Sequence, residues 1–165
     1  MIEVDITDDM LIKARAKSVE MGKLHNSILR GRGNMSGFIG EQIGLHVLGG
    51  KWDNTFDYDL IVDDKKVDVK TKQTSVKPLP HYECSIAKLN TNQKCDAYAF
   101  VRILNDFSKG WFLGVLTKDD YYDKATFLRK GDVDPSNNYN YRTHKSNVLL
   151  GNCQTGRKSK KYFKY

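Results

Sequence analysis

The chain has 165 residues, enough for one substantial core and few for two, and its 28% charged and 39% hydrophobic residues are those of a folded globular protein, not a disordered one. No apolar run approaches the roughly 20 residues of a membrane span, and MIEVDITDD has neither the basic nor the apolar region of a secretory signal, so a soluble, cytoplasmic protein without membrane partners is expected. Net charge +7 and a sequence pI near 9.2 suit a polyanionic partner without requiring one.

In chain order, Thr7-Asp8-Asp9 resembles a helix start, and the segment up to about Ile28 is helical in composition, ended by GRGN at 31–34. Ser36 is the expected N-cap of a second helix, GFIGEQIGLHVL, stopped by Gly49-Gly50. Its glycines Gly37, Gly40 and Gly44 imply close packing against a neighbour. Strands are expected at 56–62, 66–72 and 81–86, then a short helix from Asn90 to Lys94 and a hairpin of 96–104 with 111–116. Thr117 carries an N-cap signal for a last short helix, and no firm element follows Gly131. This order predicts a single α/β domain over 1–165, a mixed central sheet flanked by helices, with its core about 36–116.

The charges are unevenly placed. Between Leu11 and Gly33 six basic residues face one acid, Glu20, and 151–165 holds five cations, no acid and three aromatics. Residues Lys51 to Lys72 instead gather six aspartates among five lysines. A basic frame around an acidic centre is what a metal site facing phosphates requires. Arg30 and Arg32, flanked by glycines, are candidate nucleic-acid contacts or a solubilising loop, and the basic aromatic tail 151–165 suits base stacking or simple packing. Cys84, Cys95 and Cys153 match no zinc spacing and read as reduced structural thiols, and the histidines show no ligand spacing.

The chemistry concentrates in the strands at 56–62 and 66–72. A two-residue loop at Asp63-Asp64 sets Leu60 beside Val67 and Asp59 opposite Asp68; a four-residue loop would set Asp59 opposite Lys70. In both registers Asp57, Asp59, Asp68, Lys70 and Lys72 share one face, while Tyr58, Leu60, Val62, Val67 and Val69 share the other. Two aspartates within ~5.5 Å repel unless a cation lies between them, and carboxylate oxygens suit Mg²⁺, with Mn²⁺ as a substitute. Lys70 is then placed to orient or deprotonate a water, or to stabilise charge on a phosphate. Lys72 faces the same way, as a phosphate contact or an ordinary solvent-facing lysine.

Asp59, then eight residues, then Asp68-Val69-Lys70 resembles the PD-(D/E)XK nuclease signature, with Glu41 in SGFIGEQIG in the place of the helix-borne acid of that superfamily. The resemblance implies a restriction-endonuclease-like fold, a metal bound by Asp59, Asp68, the Val69 carbonyl and Glu41, and Lys70 as the catalytic lysine. It implies Mg²⁺-dependent endonucleolytic hydrolysis of DNA in preference to RNA, structure-selective or nonspecific, with 5′-phosphate products, as in small resolvases, repair enzymes and phage-encoded nucleases. Junction cutting would require a homodimer. Tyr58 departs from the signature's proline and Asp68 from its commoner glutamate, and Gln93 and Tyr98 lack the helical spacing of the glutamine and tyrosine that some members add. The competing expectation is a catalytically silent nucleic-acid-binding module on the same scaffold.

Overall fold

A computed structural model describes residues 1–21, 34–87, 92–133, 140–141 and 144–149. Arg30, Arg32, Lys23, Cys153 and the basic tail lie outside the described residues, as does the part of the first expected helix beyond Met21.

The chain opens with strand β1 (Ile2–Asp5), which the sequence reading passed over because four residues carry too little alternation to stand out. Helix α1 (Asp8–Met21) follows, its first turn closed by the Met10 N–H donating to Thr7 Oγ1 at 3.3 Å and carrying Asp8 and Asp9 at the positive end of the dipole. Helix α2 (Asn34–Leu48) begins two residues before the expected cap, so Ser36 lies inside its first turn. It ends as expected at Gly49, whose φ of 74° is open to glycine at no steric cost and whose N–H donates to Leu45 O at 2.8 Å.

Strand β2 (Lys51–Trp52) leads to β3 (Leu60–Val62) and β4 (Lys65–Thr74). Val62 pairs with Lys65 and Leu60 with Val67, the register of the two-residue loop; the four-residue alternative is excluded. Asp63 and Asp64 both hold positive φ, 46° and 62°, the turn whose twist matches that of the strands it joins. The first expected strand is shorter than 56–62: it starts at Leu60, because Thr55 Oγ1 gathers the Asp57 and Tyr58 amides into a turn. Tyr58 is consequently not on the Leu60–Val62 face but packs with the opposite core.

Strand β5 (Glu83–Ala87), two residues later than expected, is followed by β6 (Ala97–Leu104) and β7 (Lys109–Thr117). Residues 92–94 are not helical, a correction to the expected short helix there; 90 and 91 are outside the described residues. Helix α3 (Lys118–Lys124) is capped by Thr117 Oγ1, which accepts from Asp120 N at 3.1 Å, and β8 (Thr126–Leu128) and β9 (Lys145–Leu149) complete the described elements.

The architecture is mixed α/β, as expected. Six strands in the order β1-β7-β6-β4-β3-β2 form a sheet in which β4 and β6 run parallel and the remaining neighbours antiparallel; β5-β9-β8 form a second, smaller sheet. Helices α1 and α2 cover one face of the large sheet over a core that includes Ile39, Ile43, Leu60, Val67, Val69 and Phe112. The small sheet and α3 cover the other over Ile86, Tyr98, Phe100, Trp111 and Tyr121, and the Tyr121 hydroxyl lies between the carbonyls of Cys84 (3.0 Å) and Ser146 (2.6 Å), tying α3 to both strands. At the sheet edge β1 pairs with β7, and Glu3 takes Lys109 Nζ and Trp111 Nε1, each at 2.9 Å. Among the described residues no helix is long and apolar enough to cross a membrane.

Two of the three α2 glycines expected at a close contact are at one. A Cβ on Gly40 would run into the Thr71 side chain, and one on Gly44 would press on Leu60 and Val69, whereas Gly37 faces open space. Gly40→Ala is therefore expected to destabilise the protein by about 1–3 kcal/mol, read as a lower denaturant midpoint at unchanged m-value, while Gly37→Ala leaves it unchanged or slightly raised.

Candidate functional site

At Asp59 the β3 chain parts from β4: its N–H still donates to Val67 O at 3.0 Å, but the next backbone donor along β4, Val69 N–H, is taken by the Asp59 side chain, Oδ2 at 2.7 Å. Asp59 is thereby fixed against the middle of β4. Asp68, on the face of β4 opposite Val67 and Val69, is almost fully buried, and its Oδ2 lies 2.6 Å from Lys70 Nζ. That contact is an ion pair without good hydrogen-bond alignment, so Oδ2 is a buried oxygen with no well-directed donor. Glu41 reaches the same region from α2, whose close seat on β4 follows from Gly40 and Gly44; its Oε2 accepts from Trp52 Nε1 at 2.6 Å and Asn54 Nδ2 at 2.8 Å.

These three carboxyls perturb one another. Burial, and after it the charges of Glu41 and Asp68, push Asp59 well above the usual carboxylate range. Burial raises Asp68 too, opposed first by Lys70. Glu41 is pushed up to about 7, by burial above all and also by the Asp68 charge, with the Trp52 and Asn54 donors pulling the other way. Two buried acids, a half-buried third and one amine are one positive charge short of balance for two ionised acids and two short for three.

Sequence reasoning missed the group that organises the fourth member. Gln93 Oε1 accepts from Lys70 Nζ at 3.0 Å, while its Nε2 donates to Phe56 O at 3.0 Å and more loosely to Asp68 Oδ1 at 3.3 Å. Gln93 itself is held through its carbonyl, which accepts from Lys118 Nζ at 2.6 Å. Helical spacing does not find it, since it sits outside any helix on the segment before β6. Trp52 and Asn54 were also missed; their only sequence signal is nearness to the aspartate cluster. Asp57 does not face the site: its Oδ1 accepts from Lys94 N at 3.1 Å and anchors the loop. Lys72 lies further along the same β4 face, bonded to Ser85 Oγ at 2.7 Å. Cys84 and Cys95 are buried.

The oxygen-only donor set, its excess of negative charge and the poorly matched Asp68 Oδ2 fit a hard divalent cation, with Glu41, Asp59 and Asp68 as the residues that would hold it. Among the described residues no three His, Cys, Asp or Glu side chains already converge as a cage. Glu41 is turned to Trp52 and Asn54, and Asp68 to Lys70 and Gln93.

The raised Glu41 gives a signed expectation. A carboxyl whose folded pKa exceeds its unfolded value favours the fold most below the unfolded value near 4.5, and that contribution is lost as pH rises through about 7. Metal-free protein should therefore lose up to roughly 3 kcal/mol between pH 5 and 8 from this group. Excess Mg²⁺ should raise the melting temperature more at pH 8 than at pH 6, as scanning calorimetry would record.

No family model matches the chain, and no curated protein is similar enough to count as a match.

Proposed function

We propose that the chain is a metal-dependent nuclease of the PD-(D/E)XK type that hydrolyses phosphodiester bonds, in DNA in preference to RNA. The observation that carries the reading is three mutually repelling acids, Glu41 and Asp68 buried and Asp59 half-buried, gathered beside Lys70. An arrangement this costly to folding is expected where chemistry requires it. The antiparallel β3–β4 hairpin and the helix-borne Glu41 agree with the restriction-endonuclease-like scaffold that the signature implies, and the net charge of +7 agrees with a polyanionic substrate.

Mg²⁺, or Mn²⁺ in its place, supplies a Lewis acid for the phosphate oxygen and a more acidic water when bound by those carboxylates. The protein residues do the rest. Asp59, fixed by Val69 N–H, gives the centre a rigid side, and Lys70 Nζ, steered by Gln93 Oε1, presents a proton-bearing group to the attacked phosphate and its water. Attack of water on phosphorus with departure of the 3′ oxygen leaves a 5′-phosphate and a 3′-hydroxyl.

One observation favours a second reading, a silent nucleic-acid-binding module: Glu41 and Asp68 already have protein partners. Supercoiled plasmid, linear single strands and a four-way junction, each incubated with Mg²⁺, Mn²⁺ or EDTA, separate the two. Cleavage that EDTA abolishes supports the nuclease. Salt-sensitive binding with no cleavage under either metal replaces it by the silent module. Junction resolution would further require a homodimer, visible by sedimentation.

A further inference from the structure

Lys70 also stands at one end of a cavity of about 190 Å³ between the large sheet and β5, whose polar lining includes Lys72, Arg102, Glu83 and Ser85. In the parallel β4–β6 register Lys72 is the direct partner of Arg102, on strands ~4.8 Å apart. Like charges opposed on one face of a sheet are unfavourable, and among the described residues neither cation forms an ion pair.

Their contacts are neutral. Lys72 Nζ meets Ser85 Oγ at 2.7 Å, and Arg102 Nη2 donates to the Glu83 carbonyl at 3.1 Å, with the guanidinium 4.9 Å from the centre of the Tyr82 ring. The acid in the cavity wall, Glu83, is engaged by Asn147 Nδ2 and, at 3.4 Å, by Lys145 Nζ. Arg102 thus commits one of its donors among the described residues and keeps a fork suited to a tetrahedral oxyanion. Lys72 keeps one side in solvent, yet the cavity walls, then the charges of Lys145 and Arg102, push its ammonium down to about 8. The acidic cluster is short of positive charge; this cavity, reached from the same lysine, sets Lys72 and Arg102 against a single acid, Glu83, that Asn147 and Lys145 already engage.

We propose that this cavity binds a phosphate group of the nucleic-acid strand, with Lys72 Nζ, Arg102 and Ser85 Oγ as its donors. Lys70 and Lys72 lie about 6.6 Å apart along β4, comparable with the step from one phosphate to the next, so the bound group is the neighbour of the phosphate under attack. The identity of the strand rests on the nuclease reading; the affinity for an oxyanion does not. An internal diester and a terminal monoester offer the same oxygens, and the experiment separates them.

Anisotropy of a short single strand labelled at its 3′ end, carrying either a 5′-phosphate or a 5′-hydroxyl, is titrated in EDTA with wild type, Lys72→Ala, Arg102→Gln and Ser85→Asp. Each substitution is expected to weaken binding about tenfold, Lys72→Ala with a fall of about one in the slope of log affinity against log salt. Inorganic phosphate should compete with wild type and not with the variants. A loss confined to the 5′-phosphorylated strand identifies a terminal monoester; equal losses identify an internal diester; either supports the site. Unchanged affinity and salt slope in variants that melt like wild type would overturn it. Arg102→Gln also removes the bond to the Glu83 carbonyl of β5 and Lys72→Ala the bond to Ser85, so Ser85→Asp, which leaves Lys72 a partner on β5, decides the matter should either fold poorly. Because binding is read without metal and cleavage with it, a wild type that cleaves in Mg²⁺ while its variants bind unchanged in EDTA sinks this site alone, and weakened binding by variants of a protein that never cleaves with Mg²⁺ or Mn²⁺ sinks the hydrolytic reading alone.

Discussion

Replacing Lys70 by alanine is expected to slow single-turnover plasmid cleavage by roughly 10²–10⁴-fold while leaving DNA binding within a few-fold of wild type. The amine sits 2.6 Å from Asp68 Oδ2 and 3.0 Å from Gln93 Oε1, so its position is set by two partners, and its loss removes the one proton-bearing charge that pairs with Asp68 among the described residues. A second effect runs alongside. Asp68 is left buried without its counter-charge, a cost of about 3–5 kcal/mol if it stays ionised, which protonation or a bound cation reduces. The variant should therefore melt lower than wild type in EDTA and recover part of the difference in excess Mg²⁺. Gln93→Ala, which leaves the charge in place and frees its direction, should show a smaller rate loss. Cleavage by Lys70→Ala within threefold of wild type, with the variant shown to be folded, would remove Lys70 from the chemistry and with it the PD-(D/E)XK reading.

Asp59→Asn is expected to abolish cleavage and at the same time make the metal-free protein more stable. Its carboxyl is forced well above the ordinary range by burial and by Glu41 and Asp68, so an amide relieves repulsion, and the amide oxygen can still accept from Val69 N–H. Stability in EDTA at pH 8 should rise by about 1–2 kcal/mol, the usual size of a gain when a strained functional group is removed. Mg²⁺ should then add little to the melting temperature. Asp59→Ala would instead leave Val69 N–H without its partner and cost about 1–3 kcal/mol, so the pair of variants separates electrostatic relief from lost hydrogen bonding. If Asp59→Asn destabilises the apo protein as much as Asp59→Ala, the three acids are not in conflict and the argument for a cation fails.

The sequence made the hairpin legible because two rules act together there. Alternation places Asp68 and Lys70 on one face and Val67 and Val69 on the other, and the Asp-Asp turn restricts the register to few choices. Glu41 was legible only through the resemblance, which places an acid on the helix before the two strands. Gln93, Trp52 and Asn54 were not, since their roles come from contacts between segments whose spacing no local period encodes. Arg102 was invisible as a partner of Lys72 until the parallel β4–β6 pairing was known. Tyr58 was misplaced because Thr55, a single side chain, ends the strand before it. Strands β8 and β9 escaped because they are short and lie in a turn-rich stretch where polar residues hide the period.

The pairing of β1 with β7 has a consequence for how the protein is made. Ile2 waits for Phe112, and Glu3 for Lys109 and Trp111, so β1 cannot close the sheet until more than a hundred further residues have been synthesised after it. Such long-range closure slows folding, and until it occurs the apolar ribbon Trp111-Phe112-Leu113 presents an open edge to other chains. Trimming the first six residues should therefore cost yield through aggregation before it costs any catalytic group, with the soluble fraction recovering at lower growth temperature.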